Sequence, residues 1–222
     1  MLYYGFIFIC MAVIAVLDYF FAAPVYGFDI GFIILAVVIS VVAVVVVDLI
    51  FAGIVRWLLP RKWFSHEKKR FSAGKRECRF YEKIGIKKWK DKIPELGKLT
   101  NFRKNKITDP TNNEYIARYI MEANFGIGVH LSGIITGFSI ILIYPAYWMC
   151  FGLPVAIVNV VYNCLSLFIL RYNLPKLHTL YRLNERREKR AAIVASEEKP
   201  AANNCCADST EKNLDGFKTG QH

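Results

Sequence analysis

Long apolar runs alternate with densely cationic ones along this chain, and the apolar runs fix its elements. Residues 2–17 carry no charge, and the apolar pattern continues past Asp18 to Ala23. Residues 30–55 hold one charge, Asp48, among Val, Ile, Leu and Phe. A third run covers 125–173, with Arg171 near its end as its only Lys or Arg. About 20 apolar residues cross the hydrocarbon core as a helix. The third run is therefore long enough for two crossings, with Tyr144, Pro145, Gly152 and Pro154 marking the turn between them. The pattern predicts an all-α integral membrane protein with four spans, near residues 3–23, 29–55, 127–147 and 153–171. A cleaved signal peptide is the competing reading of the first span. No basic region precedes that span, and Pro24 directly after Ala22-Ala23 is a poor cleavage context, so the segment is expected to remain.

Composition agrees. Of 222 residues, 55% are hydrophobic, mean hydropathy is +0.29, and yet the formal net charge is +11. The two properties occupy different segments. Residues 56–106 contain 18 Lys/Arg against 5 Asp/Glu, a net of +13, and residues 171–190 contain 7 against 2, a net of +5. The connections near 24–28 and 146–153 contain no Lys or Arg. Because basic loops stay on the cytoplasmic side, both cationic segments and both termini are expected there, in a cell membrane.

The central segment interleaves Trp57, Trp63, Phe64, Phe71, Phe80, Tyr81, Trp89 and Phe102 with its charge. Such segments lie in the headgroup layer, rings below and cations among anionic lipids. A solvated loop that only sets topology is the plainer reading. A nucleic-acid groove is disfavoured by the membrane tethers at both ends. A short helix is expected from Glu77 to Ile84, closed by Gly85, with a second element ending at Pro94. Asn173 is placed to cap a new interfacial helix with Pro175 in its first turn, burying Leu177, Leu180, Tyr181 and Asn184 and exposing Lys176, Arg182 and Arg186. The chain thus divides into an N-terminal hairpin (1–59), a basic interfacial segment (60–126), a C-terminal hairpin (127–171), an interfacial helix (172–190) and a disordered tail (191–222). The six Cys show no metal spacing. The Cys205-Cys206 pair is open to palmitoylation if the tail is cytoplasmic.

Ionisable groups within or beside spans are the natural chemical candidates, because charge in hydrocarbon is costly. Asp18 and Asp48 each stand alone and favour structural roles. Glu122 and His130 are a candidate carboxylate and general base, but in one straight helix they stand about 12 Å apart and roughly 80° around the axis. Asn163 offers an amide to a substrate hydroxyl or carbonyl, against an ordinary helix–helix hydrogen bond. Arg171 and Lys176 suit a phosphate, against ordinary snorkelling. No nucleotide loop, metal box or nucleophile elbow appears.

Two blocks carry a resemblance. One comprises Glu77, Phe80-Tyr81, Ile84, Ile86, Lys88-Trp89-Lys90, Lys92 and Pro94. The other is Asn163 followed by Arg171-Tyr172-Asn173 and Pro175-Lys176-Leu177, with the Glu122–His130 pair between the two blocks. Over about 60–183 the chain resembles the bacterial glycosyl-4,4'-diaponeurosporenoate acyltransferases of staphyloxanthin-type carotenoid biosynthesis. The first span looks additional to the shorter members of that family. The resemblance implies transfer of a fatty acyl group from a thioester, acyl-CoA or acyl-carrier protein, to a sugar hydroxyl of a glycosylated isoprenoid, without a cofactor. The working mechanism for that transfer takes His130 as base, with Glu122 orienting it or a sugar hydroxyl, and Asn163 or Arg171 at the oxyanion. Arg171, Asn173, Lys176, Trp89 and Lys90 would face donor or substrate. The alternatives are an acyltransferase acting on another membrane glycolipid, or a non-enzymatic protein whose basic face binds anionic lipid or a partner. Another lipid-modifying enzyme would need a nucleotide cofactor for which the sequence has no motif.

Overall fold

Proline and glycine decide where the first hairpin bends. The structure, a computed structural model, describes residues 2–92 and 109–211, with side chains over 5–91 and 109–196. Helix α1 (Leu2–Leu17) widens into a π turn at Asp18–Ala22 before α2 (Ala23–Tyr26). Pro24 has no N–H for the preceding turn and its ring crowds that turn; the π geometry absorbs both, and the Ala23 N–H reaches Asp18 O instead. Gly27 closes the element at φ 72°, its N–H on the Ala23 carbonyl at 2.8 Å. The Asp29 carboxylate then caps α3 (Ile30–Gly53), accepting from the Phe32 N–H at 3.0 Å. A second π turn, Ile54–Leu58, ends α3 and carries Arg56.

The basic segment is built rather than loose. Single turns at Arg61–Phe64 and Lys69–Phe71 lead to α4 (Lys75–Lys83), which Gly85 closes at φ 68°, and then to α5 (Ile86–Trp89). Phe64 stacks on Phe125 with ring centroids 4.2 Å apart. The fully buried Asn124 donates to the Phe64 carbonyl at 3.0 Å. Tyr81 and Ile86 bury against Ile169 and Tyr172. The plain topology-setting loop is thereby replaced by a docked cap. Pro94 and Phe102 lie outside the described residues.

Helix α6 (Asn113–Thr136) begins well before the expected span. Glu114, Arg118 and Glu122 lower the local hydropathy, but Ile116, Tyr119, Ile120, Ala123 and Ile127 are buried at helical spacing on one face. A 3-10 stretch, Gly137–Ile143, and a turn at Pro145–Tyr147 follow, where the turn residues predicted it. Helix α7 runs unbroken from Gly152 to Glu211. The separate helix expected to start at Asn173 is therefore a continuation of the fourth span. Leu170, Leu174 and Leu177 pack on the buried face of α6, and that packing carries the helix through Pro175 despite a penalty of about 3 kcal/mol. The predicted face is kept: Leu177 and Asn184 are buried, Leu180 and Tyr181 half-buried, and Lys176, Arg182 and Arg186 exposed. The segment from residue 191, read as disordered, is helical as far as Glu211.

Four helical stretches are long and apolar enough to cross a membrane: Gly5–Tyr26, Ile30–Leu58, Asn113–Ile143 and Gly152–Ser196. Their outward side chains suit hydrocarbon, with Phe21 73% and Leu142 76% exposed. The protein is an all-helical, four-span membrane protein.

Candidate active site

Three spans meet at a buried polar cluster. Helix α7 presents Asn159 and Asn163 on one face, four residues apart; Gly133 of α6 lies opposite Asn163, and Gly137, just past the end of α6, lies opposite Asn159. A Cβ on Gly133 would lie 3.0 Å from Asp48 Oδ1 and 3.1 Å from the Asn163 amide; one on Gly137 would lie 2.3 Å from Asn159 Nδ2. Glycine is required there so that the amides can approach the α6 backbone. Asn159 Nδ2 donates to the Gly133 carbonyl at 3.2 Å and reaches Asp48 Oδ1 at 3.5 Å. Asn163 Nδ2 faces Asp48 Oδ2 at 3.2 Å, Asn159 O at 3.1 Å and Asn159 Oδ1 at 2.9 Å.

Those three oxygens orient the Asn163 amide. Its nitrogen must face them, so Oδ1 points the other way, to His130 Nδ1 at 2.9 Å. A carbonyl oxygen only accepts, so Nδ1 carries the proton and Nε2 is the basic atom of the neutral ring. Asp48, Asn163 and His130 form a relay from carboxylate to imidazole, with an amide as the link.

The relay lines one end of a cavity of about 250 Å³. Apolar walls come from α1 (Ile7, Cys10, Met11, Ile14), from α3 and from the start of α7, and Tyr162 adds a phenol. At the far end Ile14, Val44 and Val155 also belong to the packed core around Phe151 and Ile33, which closes the cavity on the side away from the cationic segments.

A second polar level lies toward those segments. Arg56 grips Glu122 through two bonds of 2.8 and 3.1 Å, its guanidinium 5.7 Å from the Phe125 ring centroid. Arg171 grips Glu77 at 2.6 and 2.8 Å, and the Tyr81 hydroxyl donates to the same carboxylate. The Arg171 hydrogen bonds hold the Glu77 carboxyl below its ordinary value of 4.5. Burial, and then Glu77 itself, push the Tyr81 phenol up. One offset relates the two levels on each helix: Asp48 to Arg56, Glu122 to His130 and Asn163 to Arg171 are all eight residues apart. At 1.5 Å per residue the levels stand about 12 Å apart.

The expected site residues separate accordingly. His130 and Asn163 come together. Glu122 does not orient His130; α6 is continuous between them, and the carboxylate is held by Arg56. Asn163 has both ends of its amide committed inside the relay, and Arg171 gives its Nε and one Nη2 hydrogen to Glu77. Lys176 sits 3.9 Å from the Tyr172 ring centroid. Trp89 donates from Nε1 to the Ile84 carbonyl at 3.1 Å, and Lys90 lies 3.9 Å from Asp91. Asn173 is inside α7, not at a cap. Sequence reasoning missed Asn159, the glycine cradle, Arg56 and Tyr162. The Asn-x-x-x-Asn and Gly-x-x-x-Gly spacings, 159/163 and 133/137, were the available signal.

A polar relay inside an apolar cavity, beneath a cationic cap, suits chemistry on an amphiphile. The comparisons with known proteins agree. The family model described as glycosyl-4,4'-diaponeurosporenoate acyltransferase matches residues 60–183, more than half of the chain. No curated protein and no solved structure matches. Asp48 and the α1 and α3 walls of the cavity precede the matched region. The chain is a membrane acyltransferase of carotenoid biosynthesis, and it belongs to the glycosyl-4,4'-diaponeurosporenoate acyltransferase family.

Proposed function

We propose that the enzyme esterifies a sugar hydroxyl of a glycosylated, membrane-embedded carotenoid with a fatty acyl group from a phosphopantetheine thioester. The observation that carries this reading is the relay. Asn163 fixes the His130 tautomer with Nε2 basic, at the polar end of an apolar cavity. Nε2 takes the proton of the sugar hydroxyl as its oxygen attacks the thioester carbonyl. The Tyr162 hydroxyl, on the cavity wall, donates to the developing oxyanion. The C–S bond then breaks, and the departing thiolate takes the proton back from the imidazolium, leaving ester and thiol. Asn163 and Asp48 position the base and exchange no proton with substrate.

The positive-inside rule places the cationic cap in the cytoplasm, where acyl-CoA and acyl-carrier protein are found. Lys75, Arg76, Arg79, Lys83, Lys87 and Lys88 are all exposed there and attract the anionic donor. Other glycolipid acceptors fit the same relay, so the test varies the acceptor. Purified protein in lipid, given acyl-CoA and either glycosylated carotenoid or a simple glycolipid, should form the carotenoid ester detected by mass spectrometry. His130→Ala should lower turnover by about 10²–10⁴-fold. Wild-type turnover in that variant would remove the mechanism, and esterification of the simple glycolipid alone would replace the acceptor.

A further inference from the structure

The cavity beside His130 has a depth and a floor. Helices α3 and α7 run toward the cationic cap and α1 runs away from it, so position along each helix reads as depth. Ile7 of α1 and Ala52 of α3 line the mouth, at the level of His130 and Asn163; Ile14, Val41 and Val155 line the bottom. From Ala52 to Val41 is eleven residues, about 16 Å of helix. The bottom is closed. Ile14, Val44 and Val155 are 7%, 6% and 2% exposed, and they continue into the core formed with Ile33, Ala36, Val37, Ile140 and Phe151. Phe28, Phe32 and Phe151 pack on one another behind them in tilted and edge-on contacts, with centroids 5.0–5.8 Å apart.

A blind apolar cavity of that depth cannot take a long, rigid conjugated chain lengthwise. It accommodates a flexible saturated one, its carbonyl at the polar mouth and its methyl end at the floor. We infer that this cavity receives the acyl chain of the donor, and that Ile14, Val41 and Val155 set the longest chain the enzyme transfers. The inference rests on the acyl-transfer reading above. It also assigns a role to α1, which precedes the family match: Cys10, Met11 and Ile14 form the wall that separates the chain from lipid. The polyene of the acceptor is then left to the bilayer and the outer helix faces, and only its sugar reaches His130.

Two experiments test this on the full chain in lipid nanodiscs. The first offers a mixture of saturated acyl-CoAs of graded length with one glycosylated carotenoid, and the ester products are resolved by mass. Ile14→Trp raises the floor and should shift the products toward shorter chains, with each methylene that no longer fits costing about tenfold in relative turnover. Turnover with the shortest donor should persist. Val41→Phe should shift the products in the same direction, whereas Ile7→Trp at the mouth should depress all lengths alike. The second uses an acyl-CoA with a diazirine at its methyl end, which should crosslink to the peptides containing Ile14 or Val155. Unchanged product lengths in active Ile14→Trp and Val41→Phe, or a crosslink confined to residues at the mouth, would overturn the inference. With a simple glycolipid supplied as a second acceptor, a change in acceptor preference at fixed chain length would assign the cavity to the polyene. Absence of any ester from the wild type is a separate result: it removes the acyl-transfer reading itself.

Discussion

At the scale of single residues, the site turns on which partner each polar group has. Asn163→Ala removes the acceptor that holds the His130 Nδ1 proton. Because a wrong tautomer removes the base, kcat should fall by about 10²–10⁴-fold with KM little changed. Glu122→Gln should leave kcat within a few-fold, since that carboxylate serves Arg56. Steady-state kinetics on the two variants separate the positions directly, and a larger loss at Glu122 would refute the assignment. Glu77 gives a pH signature. Its carboxyl is held below its ordinary value by Arg171, so the pair contributes stability that is fully present above pH 4.5 and is lost as pH falls through the lowered folded value. Thermal melts of the wild type and Glu77→Gln should therefore differ at neutral pH and converge in acid. A constant gap down to the most acidic point would show that the pair contributes nothing.

At the scale of elements, helix α6 carries two kinds of glycine. Gly128 faces packing: a Cβ there would lie 2.9 Å from Phe64 Cε1, so Gly128→Ala should loosen the docking of the basic segment. Gly133 faces the relay, and Gly133→Ala should displace Asp48 and Asn163 by a few tenths of an ångström. Activity should drop by up to about 10²-fold with a smaller change in melting temperature, and the reverse ranking of the two variants would contradict the assignments. Much of this level was legible beforehand. Four spans, the turn near Pro145, the stop at Gly85 and the buried face around Leu177 follow from hydropathy, turn chemistry and spacing. The start of α6 and the continuity of α7 were not legible, because each depends on the other: the apolar side chains at 116–127 and 170–177 cover one another, and that contact overrides Glu114, Arg118 and Pro175. Asp48 shows the same limit. Alone in a run of valines it reads as an isolated charge, and only the crossing of α3 with α7 brings it to Asn159 and Asn163.

At the scale of the whole molecule, four helices hold a polar relay in hydrocarbon and a cationic cap above it. Single-cysteine labelling at Lys75 or Lys87 should report the cytoplasmic side in sealed vesicles, and labelling from outside would place the relay out of reach of the donor. The repeated eight-residue offset, which sets His130 about 12 Å below the Arg56 and Arg171 pairs, has a bearing on efficiency. An acyl thioester is a high-energy compound that any base-activated water would spoil. A reactive centre set a level below two ion pairs and flanked by aliphatic side chains receives its carbonyl at the tip of a slender arm, away from bulk solvent. Free fatty acid release in the absence of acceptor should accordingly be slow next to ester formation. Removing one pair, as in Arg56→Ala, should widen the approach and turn the same catalyst partly into a thioesterase.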